Sequence, residues 1–159
     1  MFIGWIKVLI LFLLYFATLL GAMETIKVIH VVDGDTLKII YHGEKQSVRL
    51  IGIDTPESRE NAKLERDCHG DPALKEQLLT LGKAATAFVK TMIHEGDTVL
   101  IDFDQEKYDK YHRLLGYIYL KDGRFLNEEI MKAGYAVPMN IAPNTKYAQR
   151  FNGIYQGIR

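Results

Sequence analysis

The sequence has one cysteine, no excess of either charge, no internal repeats and no low-complexity tract. A lone Cys68 excludes a disulfide bond within the chain. The 20 basic residues are balanced by 20 acidic ones, which departs from the strongly basic surface of a high-affinity nucleic-acid binder. Without repeats or biased segments, nothing indicates a second folded domain.

The first 22 residues lack charge except at Lys7, and an unbroken apolar run follows it over residues 8–20. This pattern is typical of an export signal. Two small residues then offer a cleavage site, but Leu20 stands where a small residue is preferred, and the whole stretch approaches the roughly 20 residues that span a bilayer. We therefore expect residues 1–22 to be a signal peptide or an N-terminal membrane anchor, and the protein to be secreted or held at the membrane outside the cytoplasm.

Residues 23–159 form the second predicted region. Their length suits one domain with a sizeable core and is too short for two. The region holds 19 of the 20 basic residues and all 20 acidic ones, because Lys7 is the only charged residue before it. The domain is therefore nearly neutral.

Three segments rich in β-branched residues open this domain, and Asp33-Gly34 and His42-Gly43 separate them as turn signals. They predict a three-stranded meander. Because antiparallel neighbours run in opposite directions, the second strand starts at the end of the sheet where the third strand finishes, so Asp35 and Asp54 should converge. Two further strands are expected later, which gives predicted strands over residues 25–32, 36–41, 45–51, 98–103 and 114–120.

Three helices are expected. The longest begins at Pro72, with Asp71 as its N-cap, and its apolar stripe continues to Met92. The others are a short helix stopped by Gly134 and a C-terminal helix in which two glycines each cost about 1 kcal/mol, over residues 126–133 and 147–158. The charged stretch 58–71 is expected to be a loop.

Acidic residues and an arginine occur together at the predicted strand ends: Asp35, Arg49, Asp54 and Glu57. Carboxylates with nearby oxygen donors suit Ca²⁺ or Mg²⁺ better than Zn²⁺, which prefers His or Cys. Taken singly, D-G-D is typical of a hairpin turn and T-P-E of a strand exit. Together with a second arginine, Arg113, they indicate a site that holds a hard metal ion against a phosphodiester.

Four motifs follow one another along the chain: V-D-G-D-T, R-L-I-G-I-D-T-P-E, D-K-Y-H-R-L-L-G-Y-I-Y-L and N-E-E-I-M-K-A-G-Y-A. In these motifs and their order, the chain resembles the staphylococcal nuclease (thermonuclease-like) family over roughly residues 24–144. The resemblance implies an α+β, mainly β fold, a five-stranded OB-fold barrel with two to three helices, here preceded by the hydrophobic segment.

The resemblance also implies roles for residues around a metal. Asp35, Asp54 and the main-chain carbonyl of Thr55 correspond to the calcium ligands of the family. Glu57 corresponds to the glutamate that positions or deprotonates the attacking water. A Ca²⁺ ion can neutralise a phosphate oxygen and orient that water, and a carboxylate beside it should stay ionised.

Four further residues correspond to positions that contact phosphate. Arg49 and Arg113 match the two arginines that grip the scissile phosphate, and Lys110 and Tyr111 match positions that contact a terminal phosphate. Guanidinium forks meet phosphate oxygens in a bidentate way that a lysine cannot reproduce. Such groups stabilise the charge that develops when a phosphodiester is attacked in line.

The implied function is calcium-dependent hydrolysis of DNA and RNA by metal-assisted attack of water, with 3′-phosphate products, by a monomer. The alternative is an OB-fold nucleic-acid-binding module that is catalytically weak or inactive. The joint presence of Arg49, Glu57 and Arg113 with both aspartates favours the enzyme. The neutral domain predicts weak binding of nucleic acid without metal.

Three features depart from the family pattern or lie beside it. Asn140 and Ile141 occupy the region where the family's founding member has base-stacking tyrosines, so base preference is open. His112 replaces a small residue before Arg113, either as a phosphate donor or, as we prefer, to fill space. Cys68 lies in a charged stretch with one neighbouring histidine and no other metal-binding partner in sequence, and is expected to be structural.

Overall fold

The computed structural model describes residues 23–158, so the predicted signal or anchor lies outside the described residues. Within that range no helix is both long and apolar enough to cross a membrane. The strands are β1 (Glu24–Asp33), β2 (Thr36–Tyr41), β3 (Glu44–Leu50), β4 (Gly52–Asp54), β5 (Thr98–Asp102), β6 (Leu114–Tyr119) and β7 (Val137–Met139). The helices are α1 (Ala62–Asp67), α2 (Pro72–Met92), α3 (Leu126–Lys132) and α4 (Ala148–Gly157).

Five of the strands close into a barrel in the order β1-β2-β3-β6-β5. The first three form the predicted antiparallel meander, and β3 pairs in parallel with β6. The β2–β3 turn has positive φ at both His42 and Gly43, as a tight two-residue hairpin requires. The barrel interior is filled by alternate aliphatic side chains that are almost fully buried, among them Ile26, Leu37, Ile39, Val48, Ile101 and Ile118. The predicted mainly β, five-stranded barrel is confirmed.

A second, two-stranded sheet made of β4 and β7 was not predicted. It starts at Gly52, whose φ of +81° turns the chain away from the barrel. The ring of Phe151 from α4 lies against this glycine, since a Cβ there would be 2.3 Å from Phe151 Cε2. The strand is too short for its alternation to be recognised from sequence. Asp54 is the last residue of this strand, and Thr55 follows it directly.

The helices agree with the predictions in three cases. Asp71 caps α2 by accepting from the N–H groups of Ala73 and Leu74, and Gly134 follows α3 with a φ of +79°. Helix α4 continues through Gly153 as one segment, because Phe151 anchors it in the core.

The expected loop over residues 58–71 is wrong where α1 lies. Asn61 caps this helix by accepting from the N–H groups of Lys63 and Leu64, as asparagine commonly does. Leu64 and Cys68 are buried below it. With only six residues, α1 shows too few apolar positions to reveal a helical period in the sequence. The burial of Cys68 supports the structural role expected for it.

Candidate active site

The two aspartates at the barrel end converge on one arginine. Arg49 Nη2 lies 3.0 Å from Asp35 Oδ2 and 2.8 Å from Asp54 Oδ1. Asp35 lies in the turn between β1 and β2, Arg49 in β3 and Asp54 in β4, so the meander and the turn at Gly52 together create the contact. The Arg49 side chain is 10% exposed, which places this charge group largely out of water.

Arg49 also satisfies main-chain groups. Its Nη1 donates to the carbonyl oxygens of Leu50 and, at 3.0 Å, Ile53. These are the residues on either side of the turn from β3 into β4. The guanidinium therefore fixes the path of the chain that carries Asp54, in addition to pairing with both carboxylates.

Asp35 is tied to Thr55 as well. Its Oδ2 accepts from both the main-chain N–H and the hydroxyl of Thr55, each at 3.0 Å. Gly34 makes this approach possible, because a Cβ at that position would lie 2.8 Å from Thr55 Oγ1. Next to them, burial and the charge of Asp35 raise the pKa of Asp33 to about 6. The local field is thus already rich in negative charge.

Lys63 on α1, which was not predicted from the sequence, contacts the acidic residues Asp54 and Glu57. Its Nζ lies 2.9 Å from Asp54 Oδ1, 3.1 Å from the carbonyl oxygen of Thr55 and 3.1 Å from Glu57 Oε1. Burial acts to lower the pKa of Lys63, but the hydrogen bonds and charges of Asp54 and Glu57 outweigh it and the pKa is raised. The ammonium therefore stays charged.

Glu57 is positioned by three neighbours. Lys63 contacts its Oε1, and Asn61 Nδ2 donates to its Oε2 at 2.5 Å. Its main chain lies against α2, since a Cβ on Gly82 would be only 2.1 Å from the Glu57 carbonyl oxygen. The long helix thereby supports the segment that carries this carboxylate.

Arg113 lies in the loop directly before β6. Its Nε donates to Asp109 Oδ2 at 2.7 Å, and its guanidinium carbon lies 5.6 Å from the centre of the Tyr111 ring. Burial acts to raise the pKa of Asp109, but the hydrogen bonds from Arg113 and Tyr111 outweigh it and the pKa is lowered. Asp109 is thus an ionised partner that orients Arg113.

A cavity of about 390 Å³ opens beside this loop. Its walls include Arg49, Arg113, Lys110 and Tyr111, so the structure brings the four predicted phosphate-contacting residues to one place. Ile141 also lines it, whereas Asn140 bonds instead to Asn152. The predicted residues thus form two groups: an acidic group of Asp35, Asp54, Thr55 and Glu57, and a cavity that we call cationic for Lys110 and Arg113, although Glu106 and Asp109 also line it. Arg49 belongs to both groups.

Lys63, Asn61 and Asp109 add to what the sequence predicted, and the structure also describes His112. His112 has a φ of +59°, a left-handed backbone conformation that a small residue adopts more easily. Its side chain is exposed, so the ring does not fill a buried space. Asn61 before a helical turn carried an N-cap signal. Lys63 and Asp109 carried none, because a lysine or an aspartate in a charged stretch is ordinarily solvated.

The acidic group suits a hard cation by its donor chemistry. Among residues 23–158 no three His, Cys, Asp or Glu side chains cluster as a metal site. The donors are instead the two aspartates and a main-chain carbonyl, all of them oxygen, as Ca²⁺ prefers. A cation already contacts this set, because the Lys63 ammonium meets oxygens of Asp54 and Thr55. Asp35, Asp54 and Thr55 therefore fit the calcium predicted from the sequence.

Comparison with known proteins agrees with the motifs. The family model described as staphylococcal nuclease homologue matches residues 47–156. The chain is 36% identical over 122 residues to the endonuclease YncB of Bacillus subtilis, covering 76% of this chain and 51% of that protein. It is 34% identical over 128 residues to the thermonuclease of Staphylococcus hyicus, covering 80% and 66% respectively.

A third relative is the SPbeta prophage-derived endonuclease YokF of Bacillus subtilis, 36% identical over 122 residues that cover 76% of this chain and 36% of that protein. The chain thus spans between about one third and two thirds of the length of these relatives. The matched region contains Arg49, Asp54, Glu57 and Arg113. Together with the closed barrel, the match shows that the chain belongs to the staphylococcal nuclease homologue family.

Proposed function

We propose that the protein is a nuclease that hydrolyses phosphodiester bonds of DNA and RNA, with Ca²⁺ as its metal and 3′-phosphate products. One observation carries the proposal: Arg49 joins an acidic group that suits a metal to a cavity lined by cationic side chains. Relatives named endonuclease and thermonuclease support the reaction class.

The cavity is suited to a nucleotide. Its volume of about 390 Å³ falls within the range of small-molecule sites. Tyr111 is 68% exposed at its rim and offers an aromatic face, and Lys110 and Arg113 supply positive charge. We assign Lys110 and Tyr111 to contacts with a terminal phosphate, and Arg49 and Arg113 to the phosphate under attack.

Of the two arginines, Arg113 is the better placed to stabilise the negative charge that develops on the phosphate during the reaction. Asp109 holds its Nε, so the two terminal amino groups remain available to form a fork with phosphate oxygens. Arg49 is already paired with both aspartates. Its contribution is to keep positive charge at the boundary between metal ligands and cavity.

Asp35, Asp54 and the carbonyl of Thr55 would hold the calcium. When bound, the ion neutralises a phosphate oxygen and orients a water molecule. Glu57 is the base in this proposal, since a carboxylate beside the metal ligands would accept the proton of the attacking water. The contacts from Asn61 and the support of Gly82 set the direction of the carboxylate.

The proposed setting is outside the cytoplasm, as a monomer that is secreted or held by residues 1–22. Cell fractionation tests this part. Full-length protein found soluble in the cytoplasm would contradict it, and retention in the membrane at full-length mass would favour an anchor over a cleaved signal.

The activity is tested with purified protein on single-stranded DNA and RNA, in Ca²⁺, in Mg²⁺ and in excess chelator. We expect cleavage in Ca²⁺, much slower cleavage in Mg²⁺ because that ion demands stricter geometry, and none in chelator. Glu57→Gln should abolish cleavage while substrate binding, measured by fluorescence anisotropy, persists. Binding without cleavage in the unaltered protein would instead identify a nucleic-acid-binding module.

A further inference from the structure

We propose that Lys63 is a tethered cation that occupies the metal position when no metal is bound, and that a divalent ion must displace it to bind. The inference rests on the proposed calcium site. It assigns to this chain a residue that sets how much calcium the site needs, in addition to the residues that hold the calcium.

The contacts of Lys63 carry the inference. Lys63 Nζ donates to Asp54 Oδ1 at 2.9 Å and to the carbonyl oxygen of Thr55 at 3.1 Å, and it forms an ion pair with Glu57 Oε1 at 3.1 Å. Two of these are proposed metal ligands and the third is the proposed base. The side chain is 29% exposed, so these contacts are not those of a freely solvated lysine.

Helix α1 keeps the ammonium at this place. Asn61 caps the helix and also donates to Glu57, and the next residue after Lys63, Leu64, is almost fully buried. On the outer side, Lys75 of α2 pairs with Glu60 and Glu65. Because Lys63 is part of the chain, its cation is held beside the acidic group whatever the concentration of free cations in solution.

Two consequences follow for metal binding. A calcium ion gains the ligands only after the three ammonium contacts are broken, so Lys63 weakens the apparent affinity. The lysine stem is flexible, so its head can turn to solvent while α1 stays in place. In the metal-free protein the same ammonium screens Asp54 from Glu57, and removing it should lower the thermal stability until calcium is added.

The test compares Lys63→Met with Lys75→Met, which removes the same charge from a pair outside the acidic group. Calcium binding is measured by isothermal titration calorimetry, and melting temperature with and without calcium. We expect Lys63→Met to bind calcium roughly tenfold more tightly, within the usual range of coupling between two binding events. It should melt below the unaltered protein in chelator, and its melting temperature should rise more on adding calcium.

Lys75→Met should change calcium affinity by no more than about twofold, because exposed charges away from the ligands are screened by salt. Lys63→Gln, which keeps a polar side chain on α1, should repeat the gain and guards against misfolding of the methionine variant. Unchanged or weaker calcium binding in both Lys63 variants would overturn the inference, as would an equal gain in Lys75→Met.

The outcomes also separate this inference from the proposed function. If the unaltered protein binds calcium and the Lys63 variants bind it equally well, only the tethered cation is wrong. If neither the unaltered protein nor the variants bind calcium at any concentration, while cleavage proceeds in chelator, the calcium site itself is wrong and the role of Lys63 falls with it.

Discussion

The acidic group and the cationic cavity meet at Arg49 but are built differently. In the acidic group, Arg49 is buried and bonded to two aspartates and two carbonyl oxygens. In the cavity, the Arg113 side chain is 34% exposed, forms an ion pair with Asp109 and lies over the Tyr111 ring. Arg49 therefore stabilises the fold as well as forming part of the site, whereas Arg113 contributes mainly to the site. Substitutions that are alike in chemistry should consequently differ in their effect on folding.

Arg49→Met tests the buried side of this comparison and should have the largest effect. Removing Arg49 leaves the buried charge of Asp35 uncompensated, and loss of one partner of a buried ion pair lowers the free energy of unfolding by about 3–5 kcal/mol. Cleavage should also be lost. Urea unfolding measures the first effect. Arg113→Met is the matched control and should cost less than about 1 kcal/mol, as for exposed pairs. Equal losses in the two variants would remove the distinction.

Arg113→Lys tests the cavity side without removing charge. If the guanidinium fork stabilises charge that develops during the reaction, kcat should fall by about 10²-fold or more while KM stays within a few-fold. Steady-state kinetics on single-stranded DNA measures both. A large rise in KM at constant kcat would show that Arg113 serves only in binding. Circular dichroism should confirm an unchanged fold.

Gly82→Ala tests how closely the scaffold supports the acidic group. The added methyl would overlap the Glu57 carbonyl, and such overpacking costs about 1–3 kcal/mol. Cleavage should fall at the same time, because Glu57 must shift. Gly153→Ala on α4 is the control: a Cβ added there would meet no heavy atom within 4 Å beyond its own helix backbone, so it should be neutral or stabilising by up to about 1 kcal/mol. Thermal unfolding compares the two.

Asp109→Asn should have the smallest effect. Asparagine can still accept from the main-chain N–H groups of Tyr111 and Arg113, as Asp109 Oδ1 does, but its amide nitrogen cannot accept from Arg113 Nε. We expect kcat/KM to fall roughly tenfold through loss of orientation. Asp122→Asn changes the same kind of pair, with Arg124, at a turn outside the cavity and should leave cleavage unchanged. Equal losses in both variants would contradict the assignment.

The sequence predicted the barrel because period-two alternation and turn residues are local signals. Antiparallel geometry predicted that Asp35 and Asp54 would lie at the same end of the sheet, but the turn at Gly52 and the short strand β4, which carry Asp54, were not predicted. The position of α1 was not predictable in the same way, because a six-residue helix is too short to show a period. The contact of Lys63 with Asp54 depends on where that helix packs, and lysine by itself gives no sign of such a contact. The position of Gly82 against Glu57 likewise depends on tertiary packing.

The buried position of Cys68 gives this chain a natural chemical reporter. Its thiol lies at the end of α1, 1% exposed, with its Sγ 3.4 Å from the carbonyl oxygen of Glu65. Because the sequence has no other cysteine, a thiol-labelling reagent can modify the protein at one position only. The labelling rate then measures how often local unfolding of α1 exposes the thiol, as hydrogen exchange does for main-chain amides. No probe has to be introduced.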